Sequence, residues 1–381
     1  MLQLAQSDGF INGDEVAIDG TYIEALASRQ RIVNQATLAK RIQVLEQVIS
    51  GATDNAQGTG KPNAKSKWMA QTDTGKAEQL DRYQRSRQEI EKRLKKNRER
   101  KPSTQLDESK IFVGTSDPAV PISRNKLAVF GPLWPTQFVT HVQSNLILAV
   151  CVFTIPSDSN TIGSMIDLAR SNGAINIRTA YADSGYSSLS DIRSCHERSI
   201  RLVAPVGENS FTEQKKQAKI TVSGKQPKTT KDAFVFDYDK LRCTCPNGIT
   251  MDATKDGKRT LLNGDVLQCY RINFTPEICK GCPLIARCKD GEKSTRAVKL
   301  IEGEEMLVAH KKAMTPNVLS NCRTIRAQTA EKAFGDGKER VGLRKLGGRT
   351  PARTNAITIL HGLRHERQKA LSTTPNQQKA D

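Results

Sequence analysis

Long apolar runs are missing from this 381-residue chain: no stretch of about 18 apolar residues occurs, which excludes a membrane-spanning helix. The opening residues, Met1 to Asp8, hold no basic region followed by an apolar one. No secretory signal is therefore legible, and the cytoplasm is the expected compartment. In a reducing compartment the nine cysteines read as thiols or metal ligands rather than disulfides. Acidic charge is also short. Asp plus Glu number 40 against 59 Lys plus Arg, a formal net charge of +19. That excess favours a polyanionic partner, and nucleic acid is the expected one, with no membrane.

Against this basic background, three acids stand in distinctive contexts. Asp19 lies in Ile18-Asp19-Gly20-Thr21, Asp183 in Tyr181-Ala182-Asp183-Ser184-Gly185-Tyr186, and Glu331 in Glu331-Lys332-Ala333-Phe334-Gly335-Asp336-Gly337-Lys338. Carboxylates that converge from distant elements can hold Mg²⁺ (or Mn²⁺) on a phosphodiester and leave positions open to water and phosphate. Strand ends suit this task because a sheet fixes their direction. Lys338 falls two turns after Glu331, on the same face of an expected helix. The plain alternative for any one acid is an exposed turn or cap residue.

The chain divides into six stretches. Residues 1–23 read as a first core strand region carrying Asp19. Residues 24–107 read as a helical insertion with a loop, its helices expected from about Glu24 to Ile49 and Lys76 to Arg100, with little apolar surface. The run Lys92, Arg93, Lys95, Lys96, Arg98, Arg100 and Lys101 fits either a solvated face or a phosphate contact. Residues 108–205 read as an α/β core. Strands are expected at Ile111 to Val113, Phe138 to Val142, Leu146 to Ile155, Ile175 to Asp183 and Arg201 to Pro205, with helices at Thr161 to Ser171 and Leu189 to Glu197. Residues 206–300 form a basic loop and a cysteine-rich insertion, and 301–371 a helical C-terminal part. Residues 372–381 make a polar tail without core-forming composition.

Six cysteines fall between 243 and 288. Cys279-Lys280-Gly281-Cys282 has the spacing of a metal-gripping pair, and a second pair from another turn can complete a tetrahedral Zn²⁺ site. Cys245, Cys279, Cys282 and Cys288 are the preferred four, with Cys243 able to replace Cys245 and Cys269 a spare. Ordinary reduced thiols are the alternative. Cys151 and Cys195 read as small buried residues, and Cys322 has no role legible in sequence. His141 and His361 read as structural. Trp68 is either a loop anchor or a surface for stacking a base.

The three acidic contexts resemble those of the DDE transposases of bacterial insertion sequences. The nearest branch carries Asp-Gly-Thr, Ala-Asp-x-Gly-Tyr and Glu-x-x-Phe-Gly-x-x-Lys motifs, a helical insertion after the first acid and a cysteine-rich one before the Glu. Arg326, Arg344, Gly347, Gly348 and Arg349 also fit its pattern. The resemblance implies a ribonuclease-H-like α/β core with a helical-hairpin insertion and a cysteine-rich insertion. It further implies a divalent metal, and cleavage and strand transfer on DNA (element ends and target) by a homo-oligomer. Asp19, Asp183 and Glu331 would be catalytic, and Arg326, Lys332, Lys338, Arg344 and Arg349 would contact phosphate. The chain departs from the pattern at Asp117-Pro118-Ala119-Val120, Trp134-Pro135-Thr136-Gln137 and His361-Gly362. It starts a few residues before its first strand, so the family's N-terminal helical domain is expected to be lacking. Two alternatives stand beside this reading: a catalytically silent remnant that only binds DNA, and a zinc-stabilised nucleic-acid-binding adaptor.

Overall fold

The computed structural model describes residues 11, 13–51, 68–100, 102–124, 130–155, 158–173, 176–206, 229–261, 264–288, 295–340, 342–345 and 350–373. Two compact units divide the chain: residues 3–18 with 158–328, and residues 19–157 with 329–381. No helix among the described residues is long and apolar enough to cross a membrane.

Strand β1 (Glu15–Glu24) begins in one unit and ends in the other. Val16, Ala17 and Ile18 are wholly buried, as a strand covered on both faces requires. After Asp19 the burial alternates, with Thr21 and Ile23 inward. The expected helix from Glu24 is corrected here. β1 runs on to Glu24, β2 (Ile32–Asn34) follows, and helix α1 spans Gln35–Ile49. Asn34 sets that start, its side-chain oxygen accepting from the Thr37 amide at 3.0 Å. Helix α2 (Asp73–Arg98) is capped in the same way by Thr72.

The two helices carry more apolar surface than their polar composition suggests. Leu38, Ile42 and Leu45 of α1 meet Tyr83, Ile90 and Leu94 of α2 in one buried cluster with Val33 and Val113. Each such side chain contributes roughly 1.5–3 kcal/mol by leaving water. The basic run at the end of α2 is partly spent inside. Arg93 donates to the carbonyls of Phe112, Pro118 and Val120, and Arg98 pairs with Glu108 through two hydrogen bonds.

Beyond α2 come β3 (Phe112–Gly114), which pairs with β2, then β4 (Ile122–Arg124), β5 (Phe130–His141) and β6 (Ile147–Val152). β5 starts eight residues earlier than the sequence suggests and pairs antiparallel with both β4 and β6. His141 is buried at its end, Nδ1 hydrogen-bonded to Ser144 Oγ at 2.8 Å, a structural role.

The other unit continues with α3 (Ile162–Gly173), β7 (Thr179–Tyr181), α4 (Leu189–Glu197) and β8 (Arg201–Val203). β7 pairs parallel with β1 and with β8. It is shorter than the expected Ile175 to Asp183: Asp183 is already turned into a cap, residues 176–178 are not in the strand, and Ile175 lies outside the described residues. The hydrogen-bonded strand order is β4-β5-β1-β7-β8, with β6 also on β5, a mixed α/β sheet.

The cysteine-rich stretch holds six strands: β9 (Val235–Asp237), β10 (Arg242–Thr244), β11 (Thr250–Asp252), β12 (Thr254–Thr260), β13 (Val266–Phe274) and, after the single-turn α5 (Ile285–Cys288), β14 (Arg296–Ile301). They form two three-stranded antiparallel sheets, β11-β10-β9 and β12-β13-β14. Helices α6 (Glu304–Ala313) and α7 (Pro316–Arg326) follow. A π-helical turn, Ala327–Glu331, leads into α8 (Lys332–Arg340), and α9 spans Pro351–Thr373. Asn355 of α9 accepts from the Val152 amide of β6 at 3.1 Å.

Candidate active site and cysteine cavity

Asp19 sits in β1 and is only 8% exposed, its Oδ1 accepting from the Gly20 amide at 2.8 Å. A carboxylate so placed needs compensating donors or cations. In the same unit, Lys338 of α8 donates to Thr21 Oγ1 at 2.5 Å. The third sequence motif is thereby tied to the first. Phe334, one turn before Lys338, fixes the helix. It packs with Ile23 and Phe138, its ring 4.9 Å from that of Phe138 and nearly perpendicular. Leu343 closes the helix end, its amide donating to Gly337 O, and a Cβ on Gly337 would stand 2.5 Å from Leu343 Cδ1. Gly335 has no such steric reason, since an added Cβ would meet nothing within 4 Å.

Glu331 is exposed and ends the π-helical turn. Such single π-helical turns interrupt the regular ladder and are frequent at functional sites. Lys332 is exposed and Lys338 and Arg326 half-buried, whereas exposed Arg344 pairs with Glu339. Gly347, Gly348 and Arg349 lie outside the described residues. Asp117, in a stretch that departs from the family pattern, is buried and accepts from the Thr350 amide at 2.8 Å, just before α9.

In the other unit, Asp183 lies just past β7, its Oδ1 accepting from the Gly185 amide at 2.7 Å. The glycine of Asp183-Ser184-Gly185 has a steric reason. A Cβ there would stand 2.9 Å from Asp183 Oδ1 and 3.4 Å from Asp158 Oδ2. Asp158 is therefore a second acid beside Asp183, missed in the sequence because it lies in a loop without a motif. Cys322 of α7 finds its place here, buried, with Sγ 3.2 Å from Val203 O and 3.7 Å from Ala182 O. In the parallel register Ala17 pairs with Tyr181. Asp19 and Asp183 each follow two residues later in the chain.

Cys245, Cys279, Cys282 and Cys288 line one cavity of about 20 Å³, walled by Phe234, Phe274 and Ile285. That is close to the room one water-sized sphere occupies. Two tight turns present Cys245, Cys279 and Cys282, and Cys288 ends α5. Gly248 closes the Cys245 turn at φ +82°, its amide donating to Cys245 O at 2.9 Å. Inside Cys279–Cys282, Gly281 takes φ +73°, a region that favours glycine, and the Cys282 amide donates to Cys279 O at 3.1 Å. Burial raises the Cys288 thiol, Arg296 opposes this, and Cys279, Cys245 and Cys282 add to it. Cys243 and Cys269 do not border the cavity. Cys243 is wholly buried and its thiol is pushed up to about 11 by burial. Among the described residues, no three His, Cys, Asp or Glu side chains stand in a metal-holding arrangement. The four thiols thus share a cavity without a coordination geometry.

A family model described as a transposase DDE domain matches residues 244–365, about a third of the chain. The matched stretch includes the cavity cysteines, Glu331 and Lys338, but neither Asp19 nor Asp183. It makes the chain similar to DDE transposases and points to a transposition-related function. No curated protein and no solved structure matches the chain.

Proposed function

We propose that this protein is a DDE-type transposase that cleaves and joins DNA strands by metal-dependent phosphoryl transfer. The observation that carries the reading is the Lys338–Thr21 hydrogen bond, which ties the Glu331 motif to the Asp19 motif across more than three hundred residues. Asp183 enters the reading through its Ala182-Asp183-Ser184-Gly185-Tyr186 context, which resembles that of the family's second acid. The mixed sheet, antiparallel at β4-β5-β6 and parallel at β1-β7-β8, supports a ribonuclease-H-like core. Residues 24–107 and 206–300 would be its two insertions.

Carboxylate oxygens are hard donors and suit Mg²⁺ or Mn²⁺, so Asp19, Asp183 and Glu331 would hold the ions. Bound there, divalent metal would activate the attacking hydroxyl and stabilise the leaving oxygen. The protein's own part is positional. Backbone amides at Gly20 and Gly185 orient the two aspartates. Phe334 anchors α8, the helix that directly follows Glu331. The open space at Gly335, one turn after Glu331 and on its face, leaves room for a phosphate backbone to approach. Lys332 and Lys338 would supply positive charge along that approach, with Arg326, Arg344 and Arg349 in the same role. The partners would be element ends and target DNA, with several copies of the chain assembling on them. Thiolates suit Zn²⁺, and Cys245, Cys279, Cys282 and Cys288 would hold one as a structural ion.

Nicking of supercoiled plasmid with Mg²⁺ tests the reading. Asp183→Asn should lower the rate at least a thousandfold, on the order of 4 kcal/mol of transition-state stabilisation. Cleavage that persists in this variant would remove Asp183 from the site. Binding without cleavage in the unaltered protein would favour the silent remnant.

A further inference from the structure

A second basic feature lies in the helical hairpin, apart from every motif used so far. A cavity of about 540 Å³ opens there, and Arg31, Arg41 and Arg82 are all in its wall. No acidic residue lines it among the described residues. Arg82 forms an ion pair with Glu78 at 3.8 Å, with no direct hydrogen bond at that distance. Three arginines in one wall against a single neighbouring carboxylate leave it net positive, which favours an anionic ligand.

The wall is built, not incidental. Gln79, 5% exposed, donates to Trp68 O at 2.6 Å and to Tyr83 Oη at 2.9 Å, and accepts from the Ala70 amide at 2.8 Å. This fixes residues 68–70 against α2. The Trp68 ring stacks on Tyr83 with centroids 6.3 Å apart, and the Arg41 guanidinium lies 5.3 Å from the Trp68 centroid. Trp68 is thus an anchor that orients Arg41, which answers the choice left open by the sequence.

We propose that this cavity grips the phosphodiester backbone of duplex DNA, a contact independent of base sequence. It rests on the transposase reading and adds to it a DNA contact in the helical insertion, away from the carboxylates. The shared chemistry is a phosphate ester, so a free nucleotide is the competing source.

Binding of the full chain to two duplexes of unrelated sequence, measured by fluorescence anisotropy over a salt series, tests this. Arg31→Ala leaves the structural bonds in place, because Thr115 bonds only the Arg31 carbonyl. Arg31→Ala with Arg41→Ala should weaken both duplexes equally, by about tenfold, and lower the salt slope by roughly 0.9 per arginine. Arg41→Lys should recover part of the affinity, since charge returns without the planar fork. Unchanged affinity and slope in the double variant, with the unaltered protein binding DNA, would overturn this contact alone. Loss of ATP binding with unchanged DNA binding would assign the cavity to a free nucleotide and likewise overturn it. Absence of DNA binding and of nicking in the unaltered protein would overturn the transposase reading as well.

Discussion

Strand β5 and strand β12 are built on opposite terms. β5 buries every residue but its first, whereas β12 buries none. The apolar cluster around Phe138, Ile147, Val150 and Phe334 can hold its sheet by area alone. The two small sheets of the cysteine-rich stretch share one cluster, around Phe234, Ile272, Phe274, Val298 and Leu300. Cysteines sit at its border, and this is where a small fold commonly substitutes a metal cross-link for missing core. The lesson is that strands within one chain can be held by different means, and that a thiol-lined cavity marks the change.

The most forceful way to break this contrast is to remove the thiols. Cys279→Ser with Cys282→Ser should abolish the roughly one zinc per chain expected by atomic emission, and residues 229–301 should become sensitive to protease, since structural zinc sites contribute many kcal/mol. A zinc-free native protein with the same protease resistance would end the contrast. Phe334→Ala should cost about 3–5 kcal/mol through the cavity left between Ile23 and Phe138, with zinc content untouched. Urea unfolding and metal analysis of the same sample would check both halves of that statement.

A third test uses pH. Burial pushes the Asp191 carboxyl up to about 6 despite hydrogen bonds from Ser188 and the Asn160 amide. Its folded value exceeds the unfolded one, so the neutral form is the one the fold favours. The linked stability is therefore present below about pH 4 and lost as pH rises through about 6, by no more than about 3 kcal/mol. Asp191→Asn should flatten that decline in urea titrations across the range, and an unchanged slope would reject the assignment. The smallest effect is at Gly335. Gly335→Ala should gain about 1 kcal/mol of helix stability, because no neighbour opposes a methyl group. If DNA must come close at this point, the same variant should bind it less tightly. Tighter binding would sever Gly335 from the proposed interface.

Local signals were legible in advance where a few neighbouring residues settle the outcome. The helix expected over Leu189 to Glu197 has those bounds in the structure, where Ser188 caps the Asp191 amide three residues on. The three acid contexts and the Cys-x-x-Cys spacing were equally visible. The hairpin core exceeds what the sequence suggests because Val33, Ile111 and Val113 join α1 and α2 from separate stretches, and periodicity within one helix does not reveal them. Asp158 escaped for a similar reason. Nothing near it in sequence sets it apart, and only the turn at Gly185 brings its carboxylate beside Asp183.

By itself the sequence determined charge, caps, turn glycines and the spacing of thiols, all of which act over a few residues. Tertiary structure decided which thiol meets the cavity, Cys245 and not Cys243, and that Lys338 reaches Thr21. Those outcomes depend on where the chain returns after tens or hundreds of residues, and burial of the whole core sets that return.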